Sequence, residues 1–235
     1  MSKELRQRVV EFMKAGGIDD IGILPVERAQ NAEPGYMPQD LMPDVKSIII
    51  YYIRQFKFPR LETMQQNNTP LGMIEYTANF FIGANLIDQL AYRTCCLIND
   101  EGYDAFPISS GPPYNGVKLR GLLSHKYMSE LAGLTQRAMS GVTVSERFGP
   151  RIRLGAILTN AELSELTRAK PQLCEPDKCG EACAKACPTG AISREKLDLN
   201  ACDRYNEIVV AFGPSKIRCG RCLDACPLGH IKKEG

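Results

Sequence analysis

The feature that most constrains this chain is a crowd of cysteines near its C-terminal end. Of ten cysteines in 235 residues, eight fall in roughly the last quarter, in two groups that each close on Cys-Pro. The first group, CEPDKCGEACAKACPTGAI, carries Cys174, Cys179, Cys183 and Cys187. The second, CGRCLDACPLGHI, carries Cys219, Cys222 and Cys226, with Cys202 upstream. In both groups a cysteine stands four positions before the Cys-Pro cysteine (C-x3-C-P). Thiolates are soft anionic ligands, and short spacers let successive ligands take neighbouring corners of a small inorganic centre. The stretch from Met1 to Val10 mixes Lys3, Glu4, Arg6 and Arg8 among few apolar residues and carries no export signal. A cytoplasmic location is therefore expected, where clustered thiols hold metal more often than they form disulfides.

The repeated C-x3-C-P, followed by small residues in PTGAI and PLGHI, resembles the pattern of two-cluster ferredoxins. There the Cys-Pro cysteine of one motif ligates the cluster held by the other. That likeness implies one 4Fe-4S cluster on Cys174, Cys179, Cys183 and Cys226, and a second on Cys187, Cys202, Cys219 and Cys222. Eight thiolates satisfy two clusters with none left over. The proline after each closing cysteine stiffens the turn and removes an amide donor. The plain alternative is a pair of four-cysteine zinc sites, which usually arrive as two C-x2-C knuckles. The first group departs from the common bacterial spacing, with C-x4-C-x3-C where C-x2-C-x2-C is usual. Cys95 and Cys96, in the apolar stretch AYRTCCLI, are expected to be buried core cysteines.

Upstream, hydrophobic periodicity predicts a helix over residues 3–14 with Leu5, Val9, Phe12 and Met13 on one face. Strands are expected at residues 21–24 and 47–53 (SIIIYYI), the second buried on both faces. A helical pattern follows over 71–99 with one interruption, then a strand at 105–108, the loop SSGPPYNG, a helix over 122–134, and strands at 142–144 and 152–158. The irregular order favours an α+β sheet sandwich over a doubly wound fold. The domain division is expected at Pro171's approach to the cysteines, giving 1–169 and 170–235.

The order of SIIIYYI, a long helix, AFPISSGPP, SHKYMSELAGL and FGPRIRLGAILTNAEL ahead of the double cysteine module resembles epoxyqueuosine reductases and their reductive dehalogenase relatives. The resemblance implies a nitroreductase-like α+β domain that binds cobalamin without a histidine ligand, joined to a ferredoxin-like module whose clusters reduce it. FMN is the lesser alternative cofactor. The chain departs from that family in three places. Ser109-Ser110-Gly111-Pro112 stands where an acidic residue is usual, Thr135-Gln136-Arg137 follows Ala132-Gly133-Leu134 in place of a glycine- and tryptophan-bearing segment, and no helical-repeat tail follows the cysteines. A short-form relative with a different substrate is expected.

By the same resemblance, His125 and Tyr76 are the candidate catalytic residues, and Ser110, Lys118, Arg120, Ser124 and Lys126 are candidate cofactor contacts. Imidazole can titrate near neutral pH, which suits His125 to proton delivery. Arg147, Arg151 and Arg153 flank the turn Phe148-Gly149-Pro150, where guanidinium groups could bind a cofactor phosphate or pair with Glu146 and Glu162. A net charge of +2 gives no basic stripe for nucleic acid, so no nucleic-acid partner is expected. The longest apolar run, residues 48–53, is too short to span a membrane. No phosphate-binding glycine motif is present, so electrons are expected from a low-potential protein donor such as ferredoxin or flavodoxin. A homodimer is compatible with this fold class. Two functions compete: a cobalamin-dependent reductase, and an electron-transfer or corrinoid-reducing service protein with no small-molecule substrate.

Overall fold

The computed structural model describes residues 2–30, 33–56, 74, 77–111, 113–208 and 219–229. Contacts gather the chain into two units. One comprises Met1–Arg54, Ala84–Thr135 and Arg153–Pro171; the other comprises Gln55–Gly83, Gln136–Ile152 and Gln172–Gly235. The cysteine module thus shares a unit with Gln136–Ile152, which lies upstream of the division expected at 169/170.

The first unit is built on a four-stranded sheet in the order β1-β2-β8-β3, formed by Asp20–Pro25 (β1), Ser47–Arg54 (β2), Ala105–Ile108 (β3) and Ile152–Thr159 (β8). β1 runs antiparallel to β2 with Ile23 opposite Ile49, and β3 antiparallel to β8 with Phe106 opposite Leu158. β2 is buried from Ser47 to Ile53, which accounts for a run of β-branched and aromatic residues without polar alternation. Ile49, Tyr51 and Ile53 point to one face, against Leu5, Val9 and Met13 of α1 (Ser2–Ala15) and Ile87, Leu90, Ala91 and Ile98 of the long helix Gly83–Asp100. Each buried Val, Leu, Ile or Met side chain among these contributes about 1.5–3 kcal/mol by leaving water. Gly155 of β8 leaves room for the Tyr51 hydroxyl, which would lie 2.7 Å from an added Cβ.

With Pro38–Leu41 as α2, the long helix Gly83–Asp100 is α3, and a π-helical turn, Thr77–Ile82, precedes it. Residues 71–73, 75 and 76, at the start of the expected helical pattern, lie outside the described residues. α4 covers only His125–Leu131, because the Ser124 side chain accepts from the Tyr127 N–H and fixes the start there, not at Leu122. Part of the expected loop SSGPPYNG joins a hairpin, Tyr114–Asn115 (β4) against Arg120–Gly121 (β5). Cys95 is buried in the core as expected; Cys96, one residue round the helix, is exposed.

The second unit is mostly short elements. Gln136–Arg137 (β6) pairs with Thr143–Val144 (β7), and the cysteine segments carry α5 (Pro176–Cys179), α6 (Ala182–Lys185), α7 (Leu199–Ile208) and α8 (Arg221–Asp224). Among residues 172–205, only Ala191 and Ile192 are buried.

Candidate functional site

The eight clustered cysteines are all described, and none is in a disulfide. α5 presents Cys179, α6 presents Cys183, α7 carries Cys202, and α8 presents Cys222. The loops hold Cys174, Cys187, Cys219 and Cys226. Gln136 anchors the start of the module by accepting from the N–H groups of Leu173 and Cys174 at 2.6 and 2.7 Å. The Met139 N–H approaches the Cys174 sulfur at 3.5 Å.

Mutual charge sorts the thiols. Burial raises Cys183, and the charges of Cys174, Cys179 and Cys226 raise it further. Cys226 is likewise raised by burial, then by Cys174 and Cys179. Burial pushes Cys222 up to about 12, with Cys219, Cys202, Cys183 and Cys187 adding to it. Cys219 is raised by burial, with Cys187 and Asp224 adding and Arg221 opposing. The neighbours therefore fall largely into Cys174, Cys179, Cys183 and Cys226, and Cys187, Cys202, Cys219 and Cys222, with Cys183 also reaching Cys222. Among the described residues no three histidine, cysteine or carboxylate side chains crowd into a single-ion site.

Cys187 differs from the others. Burial pushes it up, but hydrogen bonds from Thr189 and from the backbone N–H groups of Ala191 and Ile192 outweigh burial and lower it. The PTGAI loop curls its amides onto the sulfur, which stabilises the thiolate. The PLGHI loop turns the Leu228 and Gly229 amides onto Cys226 in the same way, less completely.

The turn Ser145–Arg151 belongs to this module. Gly149 has φ +54°, and a Cβ there would collide with the Leu228 carbonyl, while a Cβ on Gly229 would meet Pro150 at 3.4 Å. Arg151 forms a buried ion pair with Asp224 of α8, the two side chains only 1% and 3% exposed. The expected phosphate role for the three arginines is thereby dispersed. Arg151 is committed to Asp224, Arg147 is exposed with its guanidinium 4.9 Å from the Phe148 ring centre, and Arg153 serves the sheet unit.

In the sheet unit a polar cluster forms around Asp88 of α3. Its carboxylate accepts from the Ser109 hydroxyl at 2.6 Å and the Ser110 N–H at 2.9 Å. Arg153 donates to the Ser110 carbonyl at 2.7 Å and approaches its hydroxyl at 3.4 Å. His125 bonds to the Ile108 carbonyl, while its Nε2 is shielded from solvent and has no partner among the described residues. Burial lowers His125 to about 4; Asp88 and the Ile108 bond oppose the shift, and Arg153 adds to it. The imidazole is therefore neutral at pH 7, in place of the neutral-pH titration expected for it. Tyr51, also near Asp88, is held well above its ordinary value by burial, then by the charges of Asp88 and Cys95.

The remaining candidates scatter. Lys118 and Arg120 pair with Glu33 and sit over the Tyr36 ring at 5.4 and 5.5 Å. Ser124 is the α4 cap and Lys126 is exposed. Tyr76 lies outside the described residues. Sequence reasoning missed Asp88, Gln136 and Asp224. Asp224 left one trace, a lone acid inside a cysteine motif; Gln136 left another, in the segment Thr135-Gln136-Arg137 that departs from the family; Asp88 left none.

The chain combines a mixed helix-and-sheet unit with a module of eight free cysteines, a ligand set that suits a thiolate-bound metal centre. The chain is a relative of epoxyqueuosine reductases and reductive dehalogenases. It is 24% identical over 195 residues to the tetrachloroethene reductive dehalogenase of Desulfitobacterium hafniense, covering 83% of this chain and 31% of that protein. It is 25% identical over 260 residues to the epoxyqueuosine reductase of Bacillus cereus, covering 96% and 64%. The chain thus spans about a third of the dehalogenase and under two thirds of the epoxyqueuosine reductase. Among solved structures, a reductive dehalogenase studied for B12-dependent dehalogenation matches with TM-score 0.66 at 18% identity, over 97% of this chain and 32% of that one. An epoxyqueuosine reductase bound to a tRNA stem loop matches with TM-score 0.62 at 19% identity, over 98% and 68%. These establish the shared mixed helix-and-sheet fold. Searched against family models, the chain matches none. Among the described residues no helix is long and apolar enough to cross a membrane.

Proposed function

We propose that this chain is a reductase in which two 4Fe-4S clusters pass low-potential electrons, one at a time, to a cobalamin-type cofactor held by a nitroreductase-like N-terminal domain, for reduction of a substrate yet to be identified. The observation that supports the reading most is that Cys174, Cys179 and Cys226 neighbour Cys183, while Cys187, Cys202 and Cys219, with Cys183, neighbour Cys222. The B12-dependent chemistry named for a solved relative supports the choice of cofactor.

The chain's own residues divide the work. The eight cysteines hold the clusters as thiolates, and the amides of the PTGAI loop stabilise the anionic sulfur of Cys187. Asp88 and Arg153 fix the Ser109–Ser110 loop from two sides. His125, neutral at pH 7, offers its shielded Nε2 as an acceptor in a half-buried polar cluster and not as a cationic acid. Of the two expected proton donors, that leaves Tyr76. When bound, cobalamin supplies a metal centre that can be driven to a strongly reducing, nucleophilic state.

A second reading, an electron-transfer or corrinoid-reducing service protein, is favoured by one observation: Lys118, Arg120, Ser124 and Arg151 are already engaged with protein partners. Anaerobic reconstitution separates the readings. About eight irons and eight sulfides per chain, with a shifted corrinoid spectrum on adding cobalamin and turnover of a reducible substrate, support the reductase. The same iron and spectral shift without turnover favour the service protein. Iron without a corrinoid shift returns FMN or a plain electron carrier, and zinc in place of iron overturns both.

A further inference from the structure

The hairpin of β6 and β7 reaches the cysteine module from 35 positions upstream. Gln136 of β6 holds the N–H groups of Leu173 and Cys174, and the Met139 N–H donates to the Cys174 sulfur at 3.5 Å. Gly141, at the other end of the turn, lies so close to Leu197 that an added Cβ would collide with its side chain. The hairpin is thus fitted to the module at two places. Its turn explains why the Met139 N–H is available. Ala138 donates to the Val142 carbonyl and Gly141 to the Ala138 carbonyl, both at 2.8 Å, while Gly141 takes φ +73°. That is the pattern of a three-residue hairpin loop closed by a left-handed glycine. Met139, at the second turn position, has no place in the ladder, and its N–H goes to the sulfur instead. The Cys187 sulfur, by contrast, lies 3.5 Å from the hydroxyl of Thr189 in its own loop. Cys187 is served by its own motif, Cys174 by a distant part of the chain.

Resting on the cluster reading above, we infer that the Met139 N–H is an outer hydrogen bond to the cluster that Cys174 ligates, and that it raises the potential of that cluster. A ligand sulfur carries more negative charge once its cluster is reduced, so a donor to it favours the reduced form. Met139 is a positioning residue that acts through Cys174. The step it biases is a one-electron transfer: the reductant loses an electron, the cluster gains it, no bond breaks, and the N–H keeps its proton. Loss of one such hydrogen bond is expected to shift the reduction equilibrium roughly threefold to tenfold. Tenfold is about 59 mV for a one-electron couple.

The test is an anaerobic dithionite titration of the reconstituted full chain, followed by electron paramagnetic resonance. Iron in the unaltered protein is measured first, because its absence sinks the cluster reading itself. Met139→Pro removes the N–H, and the second position of such a turn suits the fixed φ of proline. With iron full, Met139→Pro is expected to lower one midpoint by that shift and to leave the other nearly still. Met139→Ala keeps the N–H and removes the side chain, so it is expected to move neither. Both midpoints unmoved in Met139→Pro, or an equal fall in the two variants, overturns the inference and leaves the cluster reading intact. If Met139→Pro sheds iron, pulsed electron paramagnetic resonance decides, on chain isotopically labelled at its methionine nitrogens. A label coupling to a reduced cluster that vanishes in Met139→Ala supports the inference; its absence from the unaltered chain, or its persistence in Met139→Ala, overturns it.

Discussion

The two units of this molecule are held together by different physics. In the sheet unit, β2 is buried on both faces, and α1, α3, β1 and β8 bring a continuous aliphatic core to it. In the second unit the long cysteine segment buries almost nothing apolar between residues 172 and 205. Short four-residue helices, amides curled onto sulfur and one sealed ion pair take the place of a core. A chain segment that buries little must recover its ordering entropy from ligand bonds, as small metal-binding domains do. The first unit is thus stable by composition, and the second, on the proposed reading, by the clusters it would hold.

The largest effect that could break this comparison is removal of iron. Stripping the reconstituted protein with a chelator is expected to erase amide protection over residues 174–192 and 219–229 while β2 and β8 keep theirs. Hydrogen exchange reads both at once, and equal loss in the sheet would refute the division. Next comes Arg151→Ala, which leaves the Asp224 carboxylate buried beside the cysteines. A cost of about 3–5 kcal/mol is expected, read as a lower denaturant midpoint of the iron-loaded chain. Gly149→Ala forces a side chain into a left-handed turn against the Leu228 carbonyl. About 1–3 kcal/mol is expected, seen as faster iron release with the sheet's thermal transition unchanged.

A smaller effect sharpens the comparison from the other side. His125 sits near 4 in the folded protein against an ordinary 6.5. Between those values the unfolded chain binds the proton and the folded one does not, so the stabilisation is complete above about pH 6.5 and is lost as pH falls toward about 4. About 1–2 kcal/mol should vanish from the sheet unit by pH 5. In His125→Gln this slope should flatten; an unchanged slope would place the titration elsewhere. The smallest effect belongs to Lys118→Ala and Arg120→Ala. Their partner Glu33 is exposed and pairs with them on the surface. Neither variant should move the unfolding midpoint or corrinoid binding measurably, and a large loss of binding would restore them as cofactor contacts.

Much of the fold was legible beforehand where one kind of force acts along a local segment. Leu5, Val9 and Met13 repeat at helical spacing, so α1 follows from periodicity. The run SIIIYYI has no polar face, so a strand covered on both sides follows from hydrophobicity. α4 was overextended because Leu122 and Leu123 continue the apolar pattern, while the Ser124 cap decides where the helix begins. The arginines around Gly149 were ambiguous for a related reason. A guanidinium beside a turn looks the same in sequence whether it faces phosphate or a carboxylate 73 positions away.

The sequence by itself determined the presence of a two-motif cysteine module, the mixed helix-and-sheet class and the kinship with epoxyqueuosine reductases and reductive dehalogenases. Each is written in local spacing or in a periodic pattern, and ligand geometry and solvent exclusion act over such short stretches. Only the tertiary structure decided that Arg151 answers Asp224, that Asp88 stands beneath Ser109 and Ser110, and that His125 is neutral. Charge and desolvation depend on distance in space, and residues far apart in the chain become neighbours only once the fold has brought them together.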